Sequence, residues 1–260
     1  MTEPHQLTEP QQAAEPRQGM LLAGSERAPT GGWRRATVEQ VSHSTRRAVA
    51  LRLDVPNRIE HMPGQHYVVR LTAPDGYVAQ RSYSLASPPS DPLVELFVER
   101  LKDGEVSGYL ADVTEEGDEL EVRGPIGGWF VWSADTPAVG IAAGSGVVPL
   151  VAMIRHASYL GRGDLLRVAV ASRTLADLPY AEVLEGQGAL IALSREDAAS
   201  GRPRGRLAAA EVRGLFDPGQ PAPTCLVCGS ATFADAASVL LLDAGIPAER
   251  IRVERFGPSG

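Results

Sequence analysis

The chain of 260 residues is poor in the two side chains that most often announce a site. It has one lysine, Lys102, followed by Asp103, so the Gly-Lys-Ser/Thr of a Walker-type phosphate loop is absent. It has two cysteines, Cys225 and Cys228, too few for a four-thiolate iron-sulfur cluster within this chain; any such centre belongs to a partner. It lacks about 18 uninterrupted apolar residues anywhere, and its start has neither the pattern of a signal peptide nor that of a membrane span. It also lacks excess positive charge: the net charge of -7 and pI near 5.3 argue against a nucleic-acid partner, which would require a dominant basic surface. These absences predict a cytoplasmic protein with no nucleic-acid or membrane partner.

What is present supports a folded chain. Apolar residues make up 43% and charged ones 22%, enough to build a core, and 27 Gly with 20 Pro suggest many tight turns. The length suits two compact domains. Residues 1–32, rich in Pro, Gln, Glu and Ala, read as a disordered tail. From Trp33 to residue 133, short alternating runs are separated by Pro and Gly: Ala36 to Val41, Val49 to Val55, His66 to Leu71, Arg81 to Leu85, Leu93 to Val98 and Glu119 to Arg123. This is the pattern of an antiparallel barrel or sandwich, with one helix around Ser107 to Val113.

Past a boundary near Ser133 to Pro137 the rhythm changes. Continuous apolar runs (Ala138 to Ala143, Leu166 to Ala171, Ala189 to Leu193, Pro223 to Cys228, Ile251 to Val253) alternate with helical stretches. The helices are expected at Pro149 to Leu160, Ala176 to Leu184, Arg206 to Leu215 and Thr232 to Ala244. Apolar strands alternating with helices predict a parallel sheet covered on both faces, here over 134–260. The fold class expected is therefore an antiparallel β-barrel followed by an α/β domain, with a ligand between them.

Several short motifs carry chemistry. In Arg81-Ser82-Tyr83-Ser84, alternation puts Arg81 and Tyr83 on one face. There an Arg can clamp a phosphate, an aromatic can stack on a flat ring and a hydroxyl can reach a ring nitrogen; a strand with a surface Arg and a packed Tyr fits equally. Gly104-Glu105-Val106-Ser107 opens a helix whose free amides suit a pyrophosphate, or simply caps it with polar residues. Gly124-Pro125-Ile126-Gly127-Gly128-Trp129-Phe130 precedes the boundary, and Gly144-Ser145-Gly146-Val147-Val148-Pro149 lies between an apolar strand and a helix, where small residues let a backbone approach a phosphate. The run Thr224 to Cys228 reads as a strand, which weighs against a redox Cys-x-x-Cys.

In this order, over roughly residues 34 to 260, these segments resemble the ferredoxin-NADP reductase superfamily. The match rests on Arg81-x-Tyr83-Ser84, Gly104-x-x-Ser107, Gly144-Ser145-Gly146-x-x-Pro149, Cys228-Gly229 and the terminal Glu254-Arg255-Phe256-Gly257. The resemblance implies an FAD-binding barrel and a nicotinamide-nucleotide domain lacking an in-chain iron-sulfur domain. It implies that Arg81 binds FAD phosphate, Tyr83 stacks on the isoalloxazine, Ser84 lies near flavin N5, and the 104–107 turn holds the pyrophosphate. Gly144, Ser145 and Gly146 would form the nicotinamide nucleotide turn, with Cys228, next to Gly229, beside the nicotinamide C4. Glu254 would join a proton path to flavin N5, and Phe256, in the place of a terminal aromatic though followed here by four more residues, would lie on or near the flavin face opposite Tyr83.

Cofactor choice turns on Ser172-Arg173 and Ser194-Arg195, at the ends of the next two strands. A hydroxyl with a guanidinium suits a 2′-phosphate and favours NADPH, while Thr174 to Asp177 reads as a cap that makes Arg173 a helix neighbour, and Glu196 and Asp197 blunt Arg195; both NADPH and NADH stay open. His61 and His66 read as flanking a turn, with no metal site expected. Arg34-Arg35 and Arg46-Arg47 read either as solvated charges or as a surface steering an acidic ferredoxin. The function expected is an FAD-dependent NAD(P)H reductase serving a separate acceptor, such as a ferredoxin or partner oxidoreductase. The alternatives are a free-flavin or small-oxidant reductase and a non-catalytic flavin-binding subunit.

Overall fold

A computed structural model describes residues 32–217 and 219–256; the tail expected over 1–32 lies outside them apart from its last residue, as does Gly257. Six strands form the first sheet: β1 (Arg34–Thr45), β2 (Ala48–Asp54), β3 (His66–Thr72), β4 (Val78–Ser84), β5 (Val94–Glu99) and β6 (Glu119–Ile126). Their order is β4-β3-β6-β1-β2-β5, and every pairing is antiparallel. The two edge strands then meet, because an isolated Leu85 to Leu96 bridge joins the end of β4 to β5. That contact closes the sheet and covers edges that would otherwise offer unpaired amides.

The alternation read in the sequence does the folding. Val49, Leu51 and Leu53 of β2, Tyr67 and Val69 of β3, and Val94, Leu96 and Val98 of β5 point to one core, under which Val106 and Leu110 of α1 (Glu105–Asp112) pack. β5 is buried along almost its whole length because its other face is covered too: Phe97 joins Ala48, Ala86 and Val148 in a small cluster shared with the α/β half.

The second sheet comprises β7 (Ala138–Ala143), β8 (Leu166–Ser172), β9 (Leu190–Leu193), β10 (Thr224–Ser230) and β11 (Ile251–Phe256). All are parallel, in the order β11-β10-β7-β8-β9. α2 (Val147–Tyr159) and α3 (Ala181–Gly186) cover one face, and α4 (Ala209–Arg213) and α5 (Ala231–Asp243) the other. The order reverses between β7 and β10, which leaves a crevice beyond their C-terminal ends, the place where open α/β sheets bind ligands. Among the described residues, no helix is long and apolar enough to cross a membrane.

Two helical expectations are corrected. Ala176 to Leu184 is not one helix: a 3-10 turn over Leu175–Asp177 ends in extended Leu178, Pro179 follows, Tyr180 takes a left-handed backbone at φ 56°, and α3 begins only at Ala181. Arg206 to Leu215 contracts to α4, whose first turn is set by the Ala208 amide donating to Glu211 at 2.7 Å.

The two halves are stitched by hydrogen bonds to backbone carbonyls. The Trp132 amide donates to the Pro63 carbonyl at 3.2 Å, and Arg252 of β11 donates to the Val131 carbonyl at 3.0 Å. Gly64 lies at φ 99°, and a Cβ there would come 1.9 Å from the Phe130 carbonyl oxygen. Both the backbone angle and the contact demand glycine. Gly64→Ala is expected to cost about 2 kcal/mol or more of stability, read as a lowered urea midpoint with an unchanged slope; a midpoint equal to wild type would refute this account of the joint.

Candidate functional site

The expected site residues fall into three groups. The first joins β4 to the start of α1. Arg81 is exposed, with its Nη1 donating to the Gln80 carbonyl at 2.7 Å, and its charge acts on the Tyr77 and Tyr83 phenols. Ser82 is exposed and Ser84 half-buried, whereas Tyr83 packs against the barrel core, so that burial pushes its phenol up. The Tyr77 hydroxyl donates to Glu105 Oε2 at 3.2 Å, tying the start of β4 to the first turn of α1. No side chain caps that turn, and Gly104 enters it extended, with a Cβ there predicted to meet Ser107 Oγ at 2.2 Å. The amides of Glu105 and Val106 therefore lack intrahelical partners. The Ser107 hydroxyl is buried and used within the turn, donating to the Gly104 carbonyl and accepting from the Leu101 amide, both at 3.2 Å.

The second group lies at the C-terminal edge of the parallel sheet. Gly144, at φ 55°, opens the 3-10 turn Gly144–Gly146 that runs into α2. A Cβ on Gly146 would sit 2.4 Å from the Cys228 carbonyl oxygen, and one on Gly229 would sit 2.6 Å from the Phe233 ring, so small residues are required at both places. Register pairs Cys228 with Glu254, Gly229 with Arg255 and Ser230 with Phe256. Burial, then the adjacent Glu254, pushes the Cys228 thiol up, and burial alone raises the Glu254 carboxyl, whose Oε2 has no partner. Cys228 is therefore a neutral, compact side chain at neutral pH. Cys225 is likewise a buried strand thiol, pushed up to about 12 by burial. Phe256, 40% exposed, ends β11, while its neighbour Arg255 pairs with Asp235 at 2.7 Å.

The third group surrounds a cavity of about 860 Å³ whose walls include Gly144, Ser145, Ser172, Arg173, Ser194 and Arg195. Thr174 accepts from the Asp177 amide at 3.3 Å, and Asp177 pairs with Arg173 at 3.6 Å. Glu196 accepts from the Leu175 amide at 2.7 Å. The cavity walls do not include Arg81, Tyr83, Ser84, Cys228, Glu254 or Phe256. The groups adjoin nonetheless: Ala86, two residues past Ser84, packs with Val148, two residues past Gly146, and Ser230, one residue past Gly229, lines the cavity.

Sequence reasoning missed part of this wall. Arg46 and Arg47, from the β1–β2 turn of the barrel, and Arg206, ahead of α4, also line the cavity. With Arg173 and Arg195 they make five guanidinium groups against two carboxylates, Glu99 and Asp177. Only the tertiary fold brings the barrel turn there, and a pair of arginines in a polar turn carries no local signal of it. Arg34 and Arg35 are engaged on the barrel itself, Arg34 with the Pro56 and Asn57 carbonyls and Arg35 with Glu119 at 2.9 Å. His61 is buried, its Nε2 2.9 Å from the Ser87 carbonyl, and His66 pairs with Ser84 across β3 and β4.

The raised Glu254 carboxyl has a definite sign. The folded state holds that proton to higher pH than the unfolded chain, so this residue favours folding most below its ordinary value of 4.5 and less as pH rises through its raised value. Glu121 and Glu211, held low by Arg70 and Arg202, act in the opposite direction in any variant that keeps them. Glu254→Gln is therefore expected to gain stability on wild type as pH climbs from about 4 toward 8. Urea unfolding at a series of pH values checks it, and a constant difference between the two proteins would exclude a buried, raised carboxyl.

Comparison with known proteins agrees with this architecture. Residues 35–131 match the family model described as oxidoreductase FAD-binding domain. A flavohemoprotein from Deinococcus radiodurans is 32% identical over 218 residues, 76% of this chain and 52% of the relative. The reductase component of a propane 2-monooxygenase from Rhodococcus jostii is 29% identical over 236 residues, 85% of this chain and 63% of the relative. The chain thus spans between half and two thirds of the length of these curated relatives. In fold it is similar to a ferredoxin NADP+ reductase from Neisseria gonorrhoeae solved with bound FAD and NADP, at a TM-score of 0.73 and 17% identity, covering 86% of this chain and 98% of that one. Residues 35–131 thus carry an oxidoreductase FAD-binding domain, and the chain as a whole shares the fold of a ferredoxin NADP+ reductase.

Proposed function

We propose that this chain is an FAD-dependent oxidoreductase that draws electrons from NADPH, in preference to NADH, and delivers them singly to a separate protein acceptor. The observation that carries the reading is the cleft between the barrel turn and the parallel sheet, whose walls include five arginines and a glycine turn at a strand-to-helix junction. Such a cleft suits a dinucleotide carrying several phosphates. When bound, FAD supplies the chemistry of accepting a hydride and releasing its electrons one at a time.

The residues present fit that cofactor. The uncapped amides of Glu105 and Val106 and the exposed Arg81 guanidinium would hold its phosphates, with Gly104 giving the close approach. Tyr83 would offer its ring face, Ser84 and Ser82 would hydrogen-bond at the strand end, and Ser107 would act by holding the turn closed rather than by direct contact. On the other side, Gly144, Ser145 and Gly146 would seat the nicotinamide nucleotide's phosphates, and Ser172, Arg173, Ser194 and Arg195 would distinguish a 2′-phosphate from a bare ribose. Cys228 would permit close approach as a small neutral group, Gly229 would keep the strand end narrow, and Glu254 would hold a proton at its unpartnered Oε2. Phe256 would shield the edge of the site from water.

The acceptor is a ferredoxin or an oxygenase component. Support comes from the relatives: one is named as the reductase component of a propane 2-monooxygenase, another as the ferredoxin reductase component of a 3-ketosteroid-9-alpha-monooxygenase.

Visible absorbance of the purified protein supplemented with FAD, recorded anaerobically before and after NADPH or NADH, tests the reading. A flavin spectrum that bleaches faster with NADPH is expected; retained flavin that neither nucleotide reduces would defeat it. Arg81→Ala is expected to weaken FAD retention by about 10- to 100-fold, the loss of a charged hydrogen-bond donor to phosphate. Unchanged FAD affinity would remove Arg81 from the phosphate site.

A further inference from the structure

Where the barrel meets the parallel sheet, a carboxylate is buried. Glu95 of β5 is 6% exposed, and its Oε1 accepts from the Tyr180 hydroxyl at 2.7 Å and from Arg155 Nη1 of α2 at 3.1 Å. The same Arg155 nitrogen donates to the Ala86 carbonyl at 3.0 Å. The Arg155 guanidinium carbon lies 5.1 Å from the centre of the Tyr180 ring, which in turn meets Phe97 at 5.6 Å between centroids. A carboxylate so placed is tolerated only while its donors are held in place, because losing one leaves a buried charge undercompensated.

Tyr180 has a second unusual property. Its backbone is left-handed at φ 56°, a conformation a bulky residue keeps only where its surroundings over-determine it. The hydroxyl bond to Glu95 and the seat against Phe97 are those surroundings. No local sequence preference explains the angle.

The segment that Tyr180 terminates is the outer wall of the cleft. Arg173, Thr174, Ala176, Asp177 and Pro179 all line the cavity, strung between the end of β8 and Tyr180. The sheet fixes it at one end, the Leu175 amide bond to Glu196 holds it midway, and the buried Leu178 and the Tyr180 hydroxyl hold the end that faces the barrel. We propose that Tyr180, acting through Glu95 and Arg155, is a positioning residue that anchors segment 173–180 to the barrel and thereby sets the shape of the nucleotide cleft. The consequence for nucleotide binding rests on the function proposed above. The network also holds the Ala86 carbonyl, two residues past Ser84, so Arg155 links the strand that carries the Arg81 motif to the anchor of the wall that carries Arg173.

The test uses the full chain with FAD bound. Tyr180→Phe removes only the hydroxyl, and is expected to weaken NADP+ binding by about 5- to 20-fold, measured by calorimetry, while FAD content stays at the wild-type level. Amide exchange over 173–180 is expected to quicken without any nucleotide present. Glu95→Gln should loosen the same segment, and adding Tyr180→Phe to it should cost less than the two effects combined, since both act at one oxygen. A fall in melting temperature with wild-type NADP+ affinity and wild-type exchange over 173–180 would overturn the proposal and leave Tyr180 a purely structural residue. Should the wild-type protein bind neither NADP+ nor NAD+, the functional reading fails by itself. The exchange measurement still decides the anchor, quickened exchange upholding it and unchanged exchange overturning it.

Discussion

The close approach of Gly146 to the end of β10 governs the rest of the site. With 2.4 Å between a notional Cβ and the Cys228 carbonyl oxygen, the turn after β7 can take this course only with no side chain at Gly146. Parallel pairing of β7 with β10, and of β10 with β11, then dictates what stands nearby: Cys228 beside Ala142 on one side and Glu254 on the other. Interiors are packed too densely for such a contact to relax by small shifts. The glycine turn, the buried thiol and the unpartnered carboxylate are thus consequences of one register.

Much of this was legible in the chain itself, for identifiable reasons. β7 and β10 are covered on both faces and β8 is too beyond its exposed Arg167, so they appear as largely apolar runs, and the barrel strands alternate because one side meets the core. The glycine turn was legible because strand, small residues and helix follow one another without a gap. The broken helix around Tyr180 was legible at Pro179, which disfavours a helical Leu178, but the helical spacing of Ala176 to Leu184 outweighed it; the hydroxyl bond of Tyr180 to Glu95, 85 residues earlier, carries no local signal. Ser107 was half legible: its place in the turn was clear, but only the structure shows the hydroxyl committed to Gly104 and Leu101.

Arg46 and Arg47 mark the firmest limit. As a dipeptide in a hairpin turn they read as solvated charge or as a surface steering an acidic partner, and their place in the cleft depends on which sheet packs against β2 and β5. Phe97 and Ala48 provide that packing and carry the turn to the mouth of the cleft. The interface between the halves is therefore mixed in character, an apolar patch beside the ion-paired Glu95 and Arg155.

The concentration of arginine in the cleft sets up two opposed electrostatic regimes. Seen from a distance, the protein is an anion of net charge -7; seen from inside the cleft, guanidinium groups outnumber carboxylates by five to two. At physiological ionic strength charges are screened beyond about 8 Å. An approaching anion therefore meets weak repulsion far off and attraction only once it is nearly seated. Such a surface does not gather phosphates indiscriminately, as a uniformly basic one would. It admits the ligand whose shape lets it enter, so selectivity among anions is exercised at the threshold as well as by the contacts within.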